Sequence, residues 1–146
     1  MNALAEVTRT VPVTPAQLYD RWADCDTHPE WSTDLQWVRL AEPVAVGARG
    51  HLKPKGGPRL KFLVSELTPG QTFADTTLLP GGRLTFRHHA EANGTAAADV
   101  TVTVTLTGPL APVWRRILGL DDAATGANED LDRLVELIGS AVSEDR

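Results

Sequence analysis

Cysteine and long hydrophobic runs are scarce in this sequence. Its 146 residues include one cysteine, Cys25, so no disulfide can form within the chain, and a reducing compartment is expected. No apolar run is long enough to span a bilayer, and the N-terminus lacks the hydrophobic stretch of a signal peptide. These absences predict a cytoplasmic protein without a membrane span.

Positive charge is also in deficit. The chain carries 14 lysine and arginine residues against 19 aspartate and glutamate residues, a formal net charge of -5 at pH 7. This balance argues against nucleic acid or an anionic membrane as the main partner, because the phosphate groups would not be neutralised. One local basic cluster is interpreted as the solvated surface of a hairpin, or alternatively as the partner site of an interaction module: Arg49, Lys53, Lys55, Arg59 and Lys61.

Signatures of metal and cofactor sites are missing. Cys25, Asp26 and His28 are metal-ligand types, but they are expected in a loop, and no second ligand pair follows at zinc spacing. There is no glycine-rich phosphate loop that opens a helix, and no Gly-x-Ser-x-Gly. We expect neither a metal nor a cofactor.

Strand and helix signals fill the chain without an internal repeat or a linker, which predicts a single domain over residues 1–146. A valine- and threonine-rich segment indicates a first strand at 4–13. Thr14 then supplies an N-cap and Pro15 the first helical position. The following helix should bury one face.

Strands and turns dominate the middle of the chain. A second short helix or turn carries Pro29 and Trp31, and the segments after it are separated by Gly, Pro and Asn turn residues. Short connections imply an antiparallel meander. The six strands are predicted near residues 35–42, 48–54, 59–67, 72–79, 83–91 and 97–107.

The C-terminal part turns helical after Gly108-Pro109. Its long helix has an apolar stripe, interrupted or kinked upstream between Gly119 and Gly126. An antiparallel sheet needs cover on one face, and this helix is the available cover. A strongly curved sheet with one helix across it can enclose a cavity instead of a solid core. The stripe consists of Leu131, Leu134, Val135, Ile138 and Val142.

A predicted hairpin at Gly81-Gly82 determines which residue lies opposite His88. If these two glycines form the loop, Asp75 faces His88, and both lie on the more apolar inner face. A carboxylate beside an imidazole favours its charged form and can support acid–base work. The alternative is a buried polar pair that braces the sheet. A slip of one residue would turn His88 outward.

The next hairpin tests the same face assignment. A two-residue loop at Asn93-Gly94 would pair His88 with Asp99 and put the valines of residues 97–107 on the opposite face. Because these valines should point inward, we expect an odd-length connection or a bulge, which returns Val100 to the face of His88.

At these residues the chain resembles the START/SRPBCC (helix-grip) superfamily, and within it the bacterial polyketide cyclase/dehydratase-like branch. The resemblance covers essentially the whole chain. It is carried by Pro15 to Trp22 with Asp24, Pro29-Glu30-Trp31, Val46-Gly47, Phe73-Ala74-Asp75, Leu79-Pro80-Gly81, Phe86-Arg87-His88, Gly94-Thr95 and Gly108-Pro109-Leu110.

The resemblance implies an α+β helix-grip fold. A curved antiparallel seven-stranded sheet, in the order β-α-α-β6-α, would surround the long C-terminal helix and an internal hydrophobic cavity. Members of the superfamily bind lipids, hormones and polyketides, and some cyclise or dehydrate polyketides. The branch has no universal catalytic motif, so only His88 and Asp75 are transferred as candidate catalytic positions.

We therefore expect a protein that binds a hydrophobic small molecule, polyketide-like or lipid-like, and that catalyses aldol-type cyclisation or dehydration. His88, braced by Asp75, would move the proton, and Thr77 would hold a carbonyl. The alternative is a non-catalytic carrier or sensor with the same cavity. The chain is expected to be a monomer or a homodimer, and its expected ligand-binding residues are Trp31, Phe73, Thr77, Phe86, Val102 and Trp114.

Overall fold

A single seven-stranded antiparallel sheet forms the body of the molecule, in the order β1-β7-β6-β5-β4-β3-β2. The computed structural model describes residues 3–144, with side chains as far as residue 140. Within that range no helix is long and apolar enough to cross a membrane. The strands are β1 (Ala5–Val11), β2 (Leu35–Leu40), β3 (Arg49–Pro54), β4 (Leu60–Thr68), β5 (Thr72–Leu79), β6 (Gly82–Ala92) and β7 (Ala98–Thr107).

Within residues 3–144, three α-helices and two short 3₁₀ helices complete the fold. The 3₁₀ helices span Cys25–Glu30 and Leu120–Asp122. The order of elements confirms the predicted α+β helix-grip fold. The α-helices are α1 (Pro15–Ala23), α2 (Ala111–Ile117) and α3 (Ala123–Glu144).

Helix α1 begins where the sequence indicates. The Thr14 side chain accepts a hydrogen bond from the Gln17 backbone N–H, and the Gln17 side chain accepts one from the Thr14 N–H. This capping box satisfies two backbone donors that the first turn leaves free. Leu18 and Trp22 are fully buried on the inner face of the helix.

The turn between β5 and β6 begins one residue earlier than predicted, which shifts the cross-strand pairing by two residues. Leu79 pairs with Gly82, so Pro80 and Gly81 form the loop and Gly82 belongs to the strand. His88 consequently faces Phe73, and Asp75 faces Phe86; the predicted Asp75–His88 cross-strand pair is wrong. Because side chains alternate with a period of two, a shift of two residues keeps both on the inner face.

The connection between β6 and β7 confirms the expected odd length. Ala92 pairs with Ala98, which leaves the five residues 93–97 between the strands, closed by a 3.0 Å hydrogen bond from the Asn93 N–H to the Ala97 carbonyl. Val102 therefore lies opposite His88, and the valine side of β7 faces inward.

The sheet curves around α3. Its register shifts between Leu35 and Trp37 in β2, and between Val64 and Glu66 in β4. Such bulges bend a strand and increase its twist. Leu131, Leu134 and Ile138 of α3 are buried against the sheet and α1, Val135 is half-buried, and Val142 lies outside the described side chains.

The predicted interruption before α3 is shorter than expected. Gly119 adopts a left-handed conformation at φ +63°, and the 3₁₀ turn ends at Asp122, so that Gly126 already lies inside α3. A glycine suits this point because it adopts positive φ without a steric penalty.

A tight corner joins the β5–β6 turn to α2. The Leu110 N–H donates to the Gly81 carbonyl at 2.8 Å, and Trp114 Nε1 donates to the Pro80 carbonyl at 2.7 Å. Gly108 has φ +108°, and a Cβ there would lie 2.5 Å from the Gly81 oxygen. Close backbone approach and positive φ together require glycine at this position.

We expect Gly108→Ala to destabilise the fold by about 3 kcal/mol or more, because strain at positive φ adds to a clash with backbone. Gly94→Ala is the matched control, since Gly94 has φ +75° and a Cβ added there would meet nothing within 4 Å. It should cost only about 1 to 2 kcal/mol. Urea unfolding measures both losses, and equal losses would contradict this account of the corner.

Candidate functional site

A cavity of about 210 Å³ lies between the concave face of the sheet, α1 and α3. For scale, an apolar cavity of about 150 Å³ can hold benzene. The larger cavity of this protein suits a compound of one or two rings. The apolar wall includes Val38, Leu52, Leu60, Phe62, Leu84, Leu131 and Leu134.

Six of the eight predicted site residues line this cavity, and two do not. Phe73 is fully buried behind the wall, where its ring packs edge-on against His28 at 5.7 Å. Trp114 sits at the α2 corner and bonds to Pro80 instead. The six at the cavity wall are Trp31, Asp75, Thr77, Phe86, His88 and Val102.

His88 lies in an aromatic enclosure at the inner end of the cavity. The Trp22 ring is 5.2 Å from it between centroids, and Trp31 meets it edge-on at 5.9 Å. Its Nδ1 is enclosed and has no hydrogen-bond partner among the described residues, and Trp31 Nε1 shares that condition. Unpartnered buried polar atoms carry a free-energy cost, which a ligand with matching groups can remove.

His28 belongs to the same enclosure, although the sequence interpretation placed it in a loop. Its Nε2 lies 2.7 Å from the Trp22 carbonyl, and its ring packs 5.0 Å from Trp31. The 3₁₀ helix carries this side chain inward from Cys25–Glu30, where it is 4% exposed. The sequence contained no periodic signal for this, because one histidine in a short irregular helix shows no pattern.

Both imidazoles are neutral near pH 7. Burial lowers the pKa of His88 to about 3, with a further contribution from nearby His28, while the Phe73 backbone acts in the opposite direction. Burial likewise lowers the pKa of His28 to about 4, against the opposing effect of its bond to Trp22. The prediction that a carboxylate would favour a charged His88 is wrong, since desolvation dominates.

The pKa of Asp75 is shifted in the direction that also favours the neutral form, which for a carboxyl is upward. Burial raises the pKa of its carboxyl from 3.8 to about 7. The side chain is 8% exposed, lines the cavity and forms no hydrogen bond within the described part of the chain. A carboxyl in this state exchanges a proton readily at neutral pH.

Cys25 is the single cysteine of the chain, and its environment keeps it inert. The thiol is 2% exposed, and burial, followed by the influence of Asp75, raises its pKa to about 12. A protonated, enclosed thiol neither attacks a substrate nor binds a metal. Among residues 3–140 no group of three His, Cys, Asp or Glu side chains is arranged to hold a metal ion.

The outer end of the cavity is acidic. Asp34, Asp122 and Asp130 line it, and Asp130 accepts a hydrogen bond from the Ser32 hydroxyl at 3.0 Å. Burial raises the pKa of Asp130 to about 6 despite that bond and nearby Arg133. The sequence interpretation did not find this cluster, because its members come from two separate segments.

The chain belongs to the family described as polyketide cyclase / dehydrase and lipid transport, whose model matches residues 3–139. This assignment agrees with the resemblance inferred from the sequence. No curated protein gives a significant match to the chain.

Solved structures share the fold at low sequence identity. The Zhui aromatase/cyclase from Streptomyces sp. R1128 has a TM-score of 0.74 at 14% identity, covering 94% of each chain. Protein MLL2253 from Mesorhizobium loti has a TM-score of 0.67 at 19% identity, covering 93% of this chain and 96% of that one. Norcoclaurine synthase from Thalictrum flavum, in complex with dopamine and hydroxybenzaldehyde, has a TM-score of 0.68 at 10% identity, covering 93% and 86%.

Proposed function

We propose that the protein binds a small, largely apolar carbonyl compound in the cavity and promotes its aldol-type cyclisation or dehydration, with Asp75 as the proton-transferring residue. The observation that carries the proposal is a buried carboxyl with a pKa of about 7 that lines an apolar cavity without a hydrogen-bond partner in the described structure. Family membership and the Zhui aromatase/cyclase neighbour support the same chemistry.

The proton transfers balance on one carboxyl group. The Asp75 carboxylate removes a proton from the carbon beside a carbonyl, and the electron pair becomes an enolate. The enolate carbon bonds to a second carbonyl, whose oxygen takes the proton from Asp75. For dehydration the carboxylate removes another α-proton and returns it to the hydroxyl, which leaves as water. A pKa near 7 provides both protonation states near neutral pH.

His88 has a positioning role in this proposal instead of the proton-carrying one expected from sequence. An imidazole with a pKa of about 3 is a weak base at neutral pH, but the neutral ring offers one hydrogen-bonding atom to a ligand oxygen. Thr77 adds a hydroxyl on the same wall, two residues from Asp75 on β5. Orientation of the reacting carbons by the surrounding wall accounts for the remaining catalysis.

The first chemical step can be tested without the natural substrate. The probe is 2-tetralone, whose α-protons exchange with D₂O through the enolate, followed by ¹H NMR at pH 7. We expect the protein to accelerate this exchange and Asp75→Asn to reduce the protein-dependent rate by about 100-fold or more. Asp99→Asn, an exposed carboxyl held by Thr10 and Asn93, is the control and should retain the rate.

The outcomes separate the alternatives. If exchange is undiminished in Asp75→Asn and lost in His88→Ala, the proton-transferring role belongs to His88. Saturable binding of 2-tetralone without accelerated exchange would contradict catalysis and support the non-catalytic carrier or sensor.

A further inference from the structure

We infer that the ligand of this cavity carries a positive charge, such as a protonated amine, at its outer end, and that the site discriminates against anionic ligands. The inference rests on the proposed function, because it specifies the charge of the molecule that the cavity binds.

The charges around the cavity are of one sign. Among the described residues, four carboxyl groups line it, from Asp34, Asp75, Asp122 and Asp130, and no lysine or arginine does. The two histidines of the wall are buried and neutral. An anionic ligand would therefore meet carboxyl groups at both ends of the cavity and no lysine or arginine in its lining.

The acidic end is only slightly compensated. Arg133 lies 3.4 Å from Asp130 and also donates to the Thr33 hydroxyl. Asp34 and Asp122 are exposed and form no ion pair within the described part of the chain. Two carboxylates are thus free to face a cation that enters from solvent.

A second observation at the inner end also indicates a ligand. Asp75 is more than nine-tenths buried, and its carboxyl lines the cavity and has no hydrogen-bond partner among residues 3–140. A buried polar group without a partner is costly, so a donor supplied by a ligand would be strongly favoured. Both ends of the cavity therefore present oxygen acceptors around an apolar middle.

Cations are not scarce in the molecule as a whole; they lie elsewhere. Arg39 pairs with His51 across β2 and β3, and His51 pairs with Lys61 across β3 and β4, on positions that alternate with the buried ones. At β2, β3 and β4 the sheet therefore lies between a basic outer patch and the acidic cavity. Low-dielectric walls strengthen the effect of the cavity charges on a ligand.

Three probes of similar shape test the charge preference: 2-naphthylmethylamine, 2-naphthylmethanol and 2-naphthoate, titrated at low salt and pH 7 by calorimetry. We expect the amine to bind about tenfold tighter than the alcohol, and the carboxylate at least about tenfold weaker than the alcohol. The preference should decline as salt is added.

A matched pair of double variants locates the effect. Asp34→Asn with Asp122→Asn removes the two free carboxylates and should abolish most of the preference for the amine. Asp121→Asn with Asp132→Asn removes the same net charge from residues that pair with Arg115 and Arg9 instead of lining the cavity. This control should retain the preference.

Each result has one interpretation. Equal affinities for the three probes, or tightest binding of the carboxylate, would overturn the charge inference while leaving cavity binding intact. If both double variants lose the preference for the amine equally, the preference arises from the overall charge of the protein, and the charge inference is also overturned. If none of the probes binds although the protein accelerates exchange of 2-tetralone, the charge inference alone is overturned. If neither binding nor accelerated exchange is seen, the proposed function fails as well.

Discussion

An Asp75→Asn variant should gain several kcal/mol of stability relative to the wild type as the pH rises from 4 to 8. Asparagine resembles the protonated carboxyl, so the two proteins should have similar free energies of unfolding near pH 4. The pKa of Asp75 is raised in the folded state from 3.8 to about 7. The folded protein therefore binds more protons between these values, and its stability falls as pH rises through that window.

The size of this effect follows from the shift. One pKa unit corresponds to about 1.4 kcal/mol, so the wild type should lose roughly 4 kcal/mol relative to the variant by pH 8. His28 and His88 act in the opposite direction, since their lowered pKa values make stability rise with pH up to about 6.5. Both proteins retain these histidines, so their contribution cancels in the comparison.

Urea unfolding at several pH values measures the difference between the two proteins. Asp99→Asn is again the control, because the pKa of Asp99 is lowered by its bonds to Thr10 and Asn93. Its difference from the wild type should not grow in the variant's favour between pH 5 and 8. A constant difference for Asp75→Asn would show that this carboxyl is not buried in its neutral form.

Trp22→Ala should destabilise the protein by about 3 to 5 kcal/mol, the range for truncation of a fully enclosed large aromatic residue. Trp22 has no exposed surface, its ring packs on His88, and its carbonyl holds His28. Its loss would merge the space of the indole with the cavity. Binding of a three-ring compound such as 2-anthracenemethanol should therefore improve.

Trp37→Ala provides the matched control. Trp37 alternates with buried Val38 on β2, and Arg39 lies over its ring at 5.0 Å. Its removal should cost about 1 kcal/mol. If Trp22→Ala does not fold, Trp22→Phe should show a smaller loss in the same direction. Similar losses for Trp22→Ala and Trp37→Ala would contradict the enclosed position of Trp22.

The face on which a residue lies was predictable from this sequence, whereas its direct neighbour was not. The two-residue period of a strand placed Asp75 and His88 inward, and the shift from Gly81-Gly82 to Pro80-Gly81 preserved that side. The cross-strand partner changed with the loop, because adjacent glycines and a Pro-Gly step are both good turn sequences. The valine pattern of β7 did predict the next connection correctly, because only an odd number of connecting residues turns these valines inward.

Protonation states could not be inferred from the sequence. The expected charged His88 depended on a neighbouring carboxylate, but the structure surrounds it with Trp22, Trp31 and Phe73. Three aromatic rings from separate elements exclude water from the imidazole. This desolvation lowers the pKa of His88 more than one carboxyl group raises it. His28, Asp34 and Asp122 lie in short or irregular segments, for which no periodic pattern exists.

The pairing of β1 with β7 has a consequence for how the chain reaches this structure. Ala5 lies opposite Val104, so β1 gains its partner strand only after β2 to β6 have been synthesised. Contacts between residues so far apart in sequence close large loops and slow folding. Until then the backbone N–H and C=O groups of β1 have no partner strand in the nascent chain, where chaperones can bind the segment.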